Sequence, residues 1–512
     1  MLEGMQSSVV KLLESLNKDN PVRTDQREDD EGPVEKIAQA YELARNAMEY
    51  RAEHLVRRAA IERILKRQLL FGKDASSLAG LLLRELKWAK YIGLEGERAA
   101  KKEEVRKILE TYTPWLDGRQ WEREWLVGLI SAAIEERLSQ NRDYHAFTGF
   151  VFGHLKSVIV PESVAEFDLI LYVAVDKVFS QSDNQQISYH LYNLVAEQAG
   201  REGVCDTGKL LEITRKQFLT GVNHPLFNRL SVVVRKITGP LVLVRDIYFS
   251  DPTGFEYVLA DADIFKDKAM RVLSEQLRLL RGRMSTAGWR SLIYVFLTKM
   301  LFALILEIPI DRWLRGNVAW MTLTVNTVFP VGLMWVLTAN IRLPGGRDQE
   351  KLVKKAWLAV SGEPGKWLEG EEVIFRKETK GVRFNTFLVV YAIFSAVVFG
   401  LILGVLFKAG FSVISGLIFI FFVTVVSFFA YRIRQTAQIY SQRTGRGLGS
   451  SVGDMLMLPI VAVGSWLSLG VSKLNFLVFV FDFILEAPFK MILRVLDNWF
   501  DFLSGKRDEV VG

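Results

Sequence analysis

Ser291–Pro309 reads SLIYVFLTKMLFALILEIP, nineteen residues in which only Lys299 and Glu307 interrupt an apolar run. At a rise of about 1.5 Å per residue, such a helix matches a hydrocarbon layer of about 30 Å. Three further stretches share its character: VAWMTLTVNTVFPVGLMWVLTANI (Val318–Ile341), FNTFLVVYAIFSAVVFGLILGVLF (Phe384–Phe407) and FSVISGLIFIFFVTVVSFFAYRI (Phe411–Ile433). Only Lys408-Ala409-Gly410 separates the last two, which forces them into an antiparallel hairpin. The composition agrees. Of 512 residues 24% are charged, yet mean hydropathy is +0.16, so apolar residues must be segregated, and they gather after Trp289.

The flanks set the orientation, because short loops rich in Lys and Arg stay in the cytoplasm. The approach Arg278–Arg290, the loop Arg342–Arg383 and the stretch Tyr431–Gly453 together hold eighteen basic residues; Arg312, Arg315 and Lys408 on the other side make three. The expectation is a multi-pass protein of the cell membrane with the first ~285 residues in the cytoplasm. Trp289, Trp313 and Trp320 fall near span ends, where amphipathic rings favour the headgroup zone. No secretory leader is expected, since residues 1–20 carry Glu3, Glu14 and Asp19 around only a short apolar run.

The front part reads as α-helical throughout. After an acidic linker (NPVRTDQREDDEGP, 20–33) with little to bury, apolar residues from Ile37 to Leu65 recur at three- and four-residue steps, with Gly72 as a stop. Helical patterns follow over roughly 75–92, 97–113, 118–140, 163–181, 185–199, 207–221 and 224–237. Val242–Asp261 permits a hairpin about Asp251-Pro252-Thr253-Gly254, but two short helices are preferred, since no other strand offers a sheet to join. A helix from about Asp263 to Arg283 leads into the membrane. At the far end, Met455–Gly470 is broken by Pro459 and Leu474–Phe489 carries Asp482 and Glu486; two tilted spans, a re-entrant pair and an interfacial pair all fit, with Lys490–Leu503 as an interfacial helix. The expected divisions are 1–33, 34–285, 286–341, 342–383, 384–433, 434–453, 454–504 and 505–512: linker, cytoplasmic domain, first membrane hairpin, loop, second hairpin, Gly/Ser basic loop, C-terminal pair with interfacial helix, and tail.

Chemistry is poorly marked. GSSVG (Gly449–Gly453) matches the nucleophile-elbow pattern around Ser451, but no strand precedes it, so a flexible loop is the reading. Asp261 and Asp263, two apart, do not share a helix face and read as capping residues. Cys205 is the single cysteine, and the five histidines are scattered; His145 and His154 are read as packing residues. No catalytic constellation, cofactor or metal site is expected. Arg51–Leu70 (RAEHLVRRAAIERILKRQLL) sets Arg51, Arg57, Arg58, Arg63, Lys66 and Arg67 against two glutamates. It is either a solvated face above a core stripe or a docking face for a membrane surface or acidic partner; nothing resembling a nucleic-acid-reading motif accompanies it, so nucleic acid is not an expected partner.

Inside the membrane, Lys299 is the most costly residue, at about 2.5–3.5 kcal/mol on insertion scales, and must face the bundle interior or snorkel. Glu307, Asn326 with Thr322, Thr324 and Thr327, and Asp482 with Glu486 are its candidate company: a polar lock on helix packing, or the lining of an ion or substrate path. Gly400-x-x-x-Gly404 and Ser412-x-x-x-Gly416 permit close helix approach within the bundle or between copies.

Tyr41–Leu69 (YELARNAMEYRAEHLVRRAAIERILKRQL), Arg290–Asp311 (RSLIYVFLTKMLFALILEIPID) and Leu474–Lys490 (LNFLVFVFDFILEAPFK) resemble, in matching order, a large multi-pass protein of the ultra-small, reduced-genome candidate-phylum bacteria of Patescibacteria type. The resemblance implies a bacterial cell membrane and a helical cytoplasmic part, and carries over no functional residue. The expected function is a membrane-anchored docking or assembly platform engaging a protein partner or a second copy through the cytoplasmic domain, without enzymatic activity. The alternative is an oligomeric transporter or channel using Lys299, Glu307, Asp482 and Glu486.

Overall fold

The computed structural model describes residues 7–17, 53–69, 74–89, 91–92, 98–116, 120–138, 142–159, 166–201, 206–315, 320–339, 343–361, 366–368, 382–437, 440, 457–467, 495 and 499. Among the described residues every regular element is helical, as the all-α reading requires. In chain order the α-helices are α1 (Ser7–Asn17), α2 (Glu53–Gln68), α3 (Ala75–Trp88), α4 (Arg98–Tyr112), α5 (Gln120–Leu138), α6 (Arg142–Val158), α7 (Phe167–Val178), α8 (Asn184–Arg201), α9 (Thr207–Asn223), α10 (Pro225–Ile237), α11 (Gly239–Ser250), α12 (Phe255–Ala260), α13 (Ala262–Phe302), α14 (Ile308–Arg315), α15 (Trp320–Ala339), α16 (Gly346–Ser361), α17 (Val382–Lys408), α18 (Val413–Ala437) and α19 (Met457–Leu467). They form two compact units: the first runs to Thr238 and takes in Val360 and Ser361 at the end of α16, and the second holds the other described residues from Gly239 to Leu467.

In the first unit, short polar side chains start the helices by accepting from amides that lack an intrahelical partner. Asp74 accepts from Ser77 N at 3.1 Å before α3, and Asp206 from Gly208 N at 3.0 Å before α9. Before α8, Asp183 accepts from Gln186 N at 3.0 Å while the Gln186 side chain accepts from Asp183 N at 3.3 Å, a reciprocal capping box. The helices then bury apolar stripes at three- and four-residue spacing. Leu78, Leu82 and Leu86 of α3 share one core with Ile61 and Leu65 of α2, Val105 and Leu109 of α4, and Ile130 and Ile134 of α5. Tyr172 and Val173 of α7, Ile187 and Leu191 of α8, and Phe218 of α9 make a second. The result brings the end of α5, the start of α6, the end of α7 and the first half of α8 together, with the α7–α8 turn reversing through Gln181 at φ 57°.

In the second unit, α11 and α12 pack along the first half of α13, a single 41-residue helix. The element expected near Asp263–Arg283 and the beginning of the first span are therefore one rod. Asp261 caps it, accepting from Asp263 N at 2.8 Å and Ile264 N at 3.1 Å, the role read for it from sequence. Phe265 and Trp357 of α16 meet as a tilted ring pair at 5.2 Å between centroids.

Among the described residues, four helices are long and apolar enough to cross a membrane, in α13, α15, α17 and α18. The second half of α13 packs with α15 and α18 around Val295, Met334, Val426, Ala430 and Ile433. Their exteriors are oily and their interior carries the charge: Leu297 and Leu301 are 59% and 54% exposed while Lys299 between them is 0%. That is the reverse of a helix made for water. The α17–α18 hairpin forms as its three-residue joint demands. Gly410, at φ +84°, lets Phe411 N bond to Leu406 O and Gly410 N to Phe407 O, both at 3.0 Å, while Phe411 and Leu406 pack together. Ser412 then starts α18 by accepting from Ser415 N at 3.1 Å.

The small-residue pairs divide. A side chain at Gly416 would meet Leu403 and Leu406 of α17, so this position does serve close approach within the hairpin. Gly400 and Gly404 have no neighbour within 4 Å of such a side chain among the described residues and face outward.

Candidate functional site

The intramembrane site begins with a local departure from the α-helix. Ala303–Glu307 is a π turn, with Pro309 just beyond it. Proline lacks an N–H and crowds the carbonyl four residues back, which loosens the winding there. In a regular helix eight residues advance about 800°, leaving Glu307 about 80° round from Lys299. The π turn, bonded i to i+5, winds less per residue and returns Glu307 to the Lys299 face. The Lys299 ammonium donates to Glu307 Oε1. Asn326 of α15 donates from Nδ2 to the same oxygen at 2.9 Å and lies 3.4 Å from the Ser415 carbonyl of α18. Phe422 of α18 completes the enclosure with its ring centroid 4.8 Å from Lys299 Nζ, a cation–π contact.

Lys299, Glu307 and Asn326 are 0%, 2% and 0% exposed. Three of the five residues expected to form a polar cluster therefore meet, drawn from two helices and sealed by a third; Asp482 and Glu486 lie outside the described residues. The threonines of the second span do not all join. Thr324 and Thr327 donate back to the Trp320 and Leu323 carbonyls, and Thr322 is buried. Chemically the cluster is a neutral ion pair with an amide brace.

The basic stripe of α2 is not presented as one face. Arg57 makes two 2.8 Å hydrogen bonds to the Glu135 carboxylate, Arg58 is 2% exposed beside Glu62 (2.7 Å) and Asp183 (2.6 Å), and Arg67 pairs with Glu85. Among the described members of the stripe only Lys66, 48% exposed, stands out to solvent, while bonding Glu62 at 2.9 Å. Arg51 lies outside the described residues, and Arg63 is partly buried. Arg57, Arg58 and Arg67 are engaged within the chain, each by a carboxylate of another segment (Glu135, Asp183 and Glu85), with Glu62 of α2 itself also on Arg58.

A second cluster, which the sequence reading missed, occupies the first unit. Glu136, in the last turn of α5, faces His145 of α6, with His145 Nε2 3.0 Å from Glu136 Oε2. His190 of α8 lies with its Nε2 3.9 Å from the same oxygen, and its Nδ1 2.6 Å from Oδ2 of Asp176 on α7. Asp176 is fully buried, and its other oxygen accepts from Ser182 Oγ at 2.7 Å. The two imidazole rings meet edge to face at 3.7 Å. His145 is thus an ion-pairing residue rather than the packing histidine expected; His154, 3% exposed against Phe150, does pack. Scattered histidines gave no signal because the four residues come from four helices, within 55 positions of one another but never at ligand spacing.

Electrostatics bind this cluster together. Burial pushes the Glu136 carboxyl up, but His145, His190 and Arg137 outweigh it and hold it below its ordinary value. Burial pulls His145 down, and its hydrogen bond to Glu136, with the charges of Glu136 and Asp176, raises it overall. Asp176 is likewise lowered, because His190 and Ser182 overcome its desolvation.

Gly449–Gly453 with Ser451 lies outside the described residues. Comparison with known protein families, curated proteins and solved structures finds no match, so the chemistry rests on the chain's own residues.

Proposed function

We propose that the chain is a multi-pass protein of a bacterial cell membrane, with the helical body of its front half in the cytoplasm serving as a docking or assembly platform. The apolar exteriors of α13, α15, α17 and α18 support residence in lipid. The eighteen-to-three imbalance of basic residues supports the side. The bacterial assignment follows the family resemblance of Tyr41–Leu69, Arg290–Asp311 and Leu474–Lys490.

The observation that carries a platform over a conduit is the closure of the Lys299–Glu307–Asn326 cluster. A transport path needs charged groups that exchange partners with water or cargo; here the cation and the anion neutralise each other, less than 3% exposed. Asn326 and Phe422 tie this pair to α15 and α18. The membrane part then acts as a rigid anchor, and recognition belongs to the large helical body.

Mild detergent extraction followed by light scattering and affinity purification tests the reading. The expected result is self-association or one partner at fixed stoichiometry, retained when Lys299 and Glu307 are left intact. A monomer with no reproducible partner contradicts it. So does ion or solute flux in reconstituted vesicles that Lys299→Met abolishes without unfolding the protein, which assigns the cluster to transport.

A further inference from the structure

We infer that Glu136, His145 and His190 form a binding site for a divalent first-row transition metal of zinc type, with Asp176 orienting His190 from behind. The inference is independent of the membrane and platform readings, since all four residues lie in the first unit.

The donor atoms are already gathered. One atom each from Glu136, His145 and His190 lies within 4.8 Å of the others. A tetrahedral zinc ion, with ligands at about 2.0–2.1 Å, places its donors about 3.3 Å apart. The Glu136 Oε2 contacts to the two Nε2 atoms, 3.0 and 3.9 Å, straddle that distance. Small side-chain rotations are enough to close the set, with no movement of a helix.

The second observation is behind the ligands. Histidines that bind metal through one ring nitrogen commonly give the other to a carboxylate, which fixes tautomer and ring direction. His190 donates from Nδ1 to the buried Asp176, and that leaves the Nε2 lone pair facing Glu136 and His145. Asp176 is in turn held by Ser182. A buried carboxylate with its own hydroxyl donor is a built support rather than a chance surface neighbour.

Access is graded in the way a metal site needs. Asp176 is sealed at 0% side-chain exposure, His190 is at 11%, and Glu136 and His145 form a rim at 23% and 28%. The metal replaces the proton that His145 Nε2 shares with Glu136, and that proton leaves to solvent. Two imidazoles and one carboxylate favour zinc, cobalt or nickel over magnesium or calcium, which prefer all-oxygen sets. Three protein ligands leave a fourth position for water. The ion pins α5, α6 and α8 at the point where they converge.

The test uses the full chain in detergent, free of any oligohistidine tag, stripped with chelator and titrated with zinc chloride alone. One zinc per chain is expected, undiminished by excess magnesium. His145→Ala together with His190→Ala should abolish stoichiometric uptake, and Asp176→Asn should weaken it about 10- to 100-fold while leaving one site. Helical circular dichroism checks each variant. If the double variant does not fold, cobalt(II) added to the wild-type chain decides: the intense visible bands of tetrahedral coordination by nitrogen and oxygen support the site. Wild-type protein that takes up no stoichiometric zinc, lacks the cobalt bands, or binds no more tightly than a folded double variant overturns the inference and leaves the cluster as a charge network only.

Discussion

Lys299 shows what one side chain contributes when its surroundings are apolar. Removing one member of a buried pair leaves the other charged and unmatched, at a cost of about 3–5 kcal/mol. Lys299→Met should therefore lower the unfolding midpoint in detergent sharply, while Lys299→Met combined with Glu307→Gln should recover much of the loss. A double variant no more stable than the single would show that the pairing is not what the residues are for. In the front half, burial raises the Glu62 carboxyl, but the charges of Arg58 and Lys66 outweigh it and hold it below its ordinary 4.5. A lowered folded value contributes stability that is present above about pH 4.5 and is lost as pH falls through the folded value. Glu62→Gln should then be less stable than wild type at neutral pH, and the gap should close as pH falls below 4.5 through the lowered folded value, read as chemical-denaturation midpoints. Hydropathy alone exposed Lys299, because a charge in a run such as FLTKMLF stands out. Arg58 was opaque for the opposite reason: its partner Asp183 is 125 positions away, and sequence order says nothing about which distant carboxylate arrives.

Helix winding and helix contact decide the next level. The pairing of Lys299 with Glu307 depends on the π turn at Ala303–Glu307, and Pro309 is the sequence signal that marks it. Sequence names Glu307 as company for Lys299, but regular helical spacing sets the two about 80° apart and does not by itself give the direct pair. Contacts between helices make a sharper prediction. A Cβ placed on Gly464 of α19 would sit 2.1 Å from the Thr424 carbonyl oxygen of α18, so Gly464→Ala forces the helices apart and should cost about 1–3 kcal/mol. Gly400→Ala and Gly404→Ala meet nothing within 4 Å among the described residues and should change the stability of an isolated protomer by no more than about 0.5 kcal/mol. Thermal unfolding of the three variants in the same detergent checks the contrast; equal losses at all three would contradict the described packing. The Lys408-Ala409-Gly410 joint was legible in advance, since so short a connection admits only one geometry, and Gly410 supplies the positive φ that it needs.

Across the whole molecule, what could be read early was segregation: oily helices after Trp289, helical amphipathic patterns before it. Those are properties of local periodicity and composition. The convergence of Glu136, His145, Asp176 and His190 is a property of how four helices meet, and it becomes visible only when the fold is in hand. The account as a whole stands on the oily helices lying in lipid with the front half inside the cell. Its most direct test is paired cysteine labelling in a Cys205→Ser background with a membrane-impermeant maleimide. Trp313→Cys, at a position 85% exposed beyond the first span, should label in intact cells. Asp263→Cys, at a position whose side chain is 92% exposed at the head of α13, should label only after the membrane is permeabilised. The reverse pattern, or labelling of both positions in intact cells, would contradict the account.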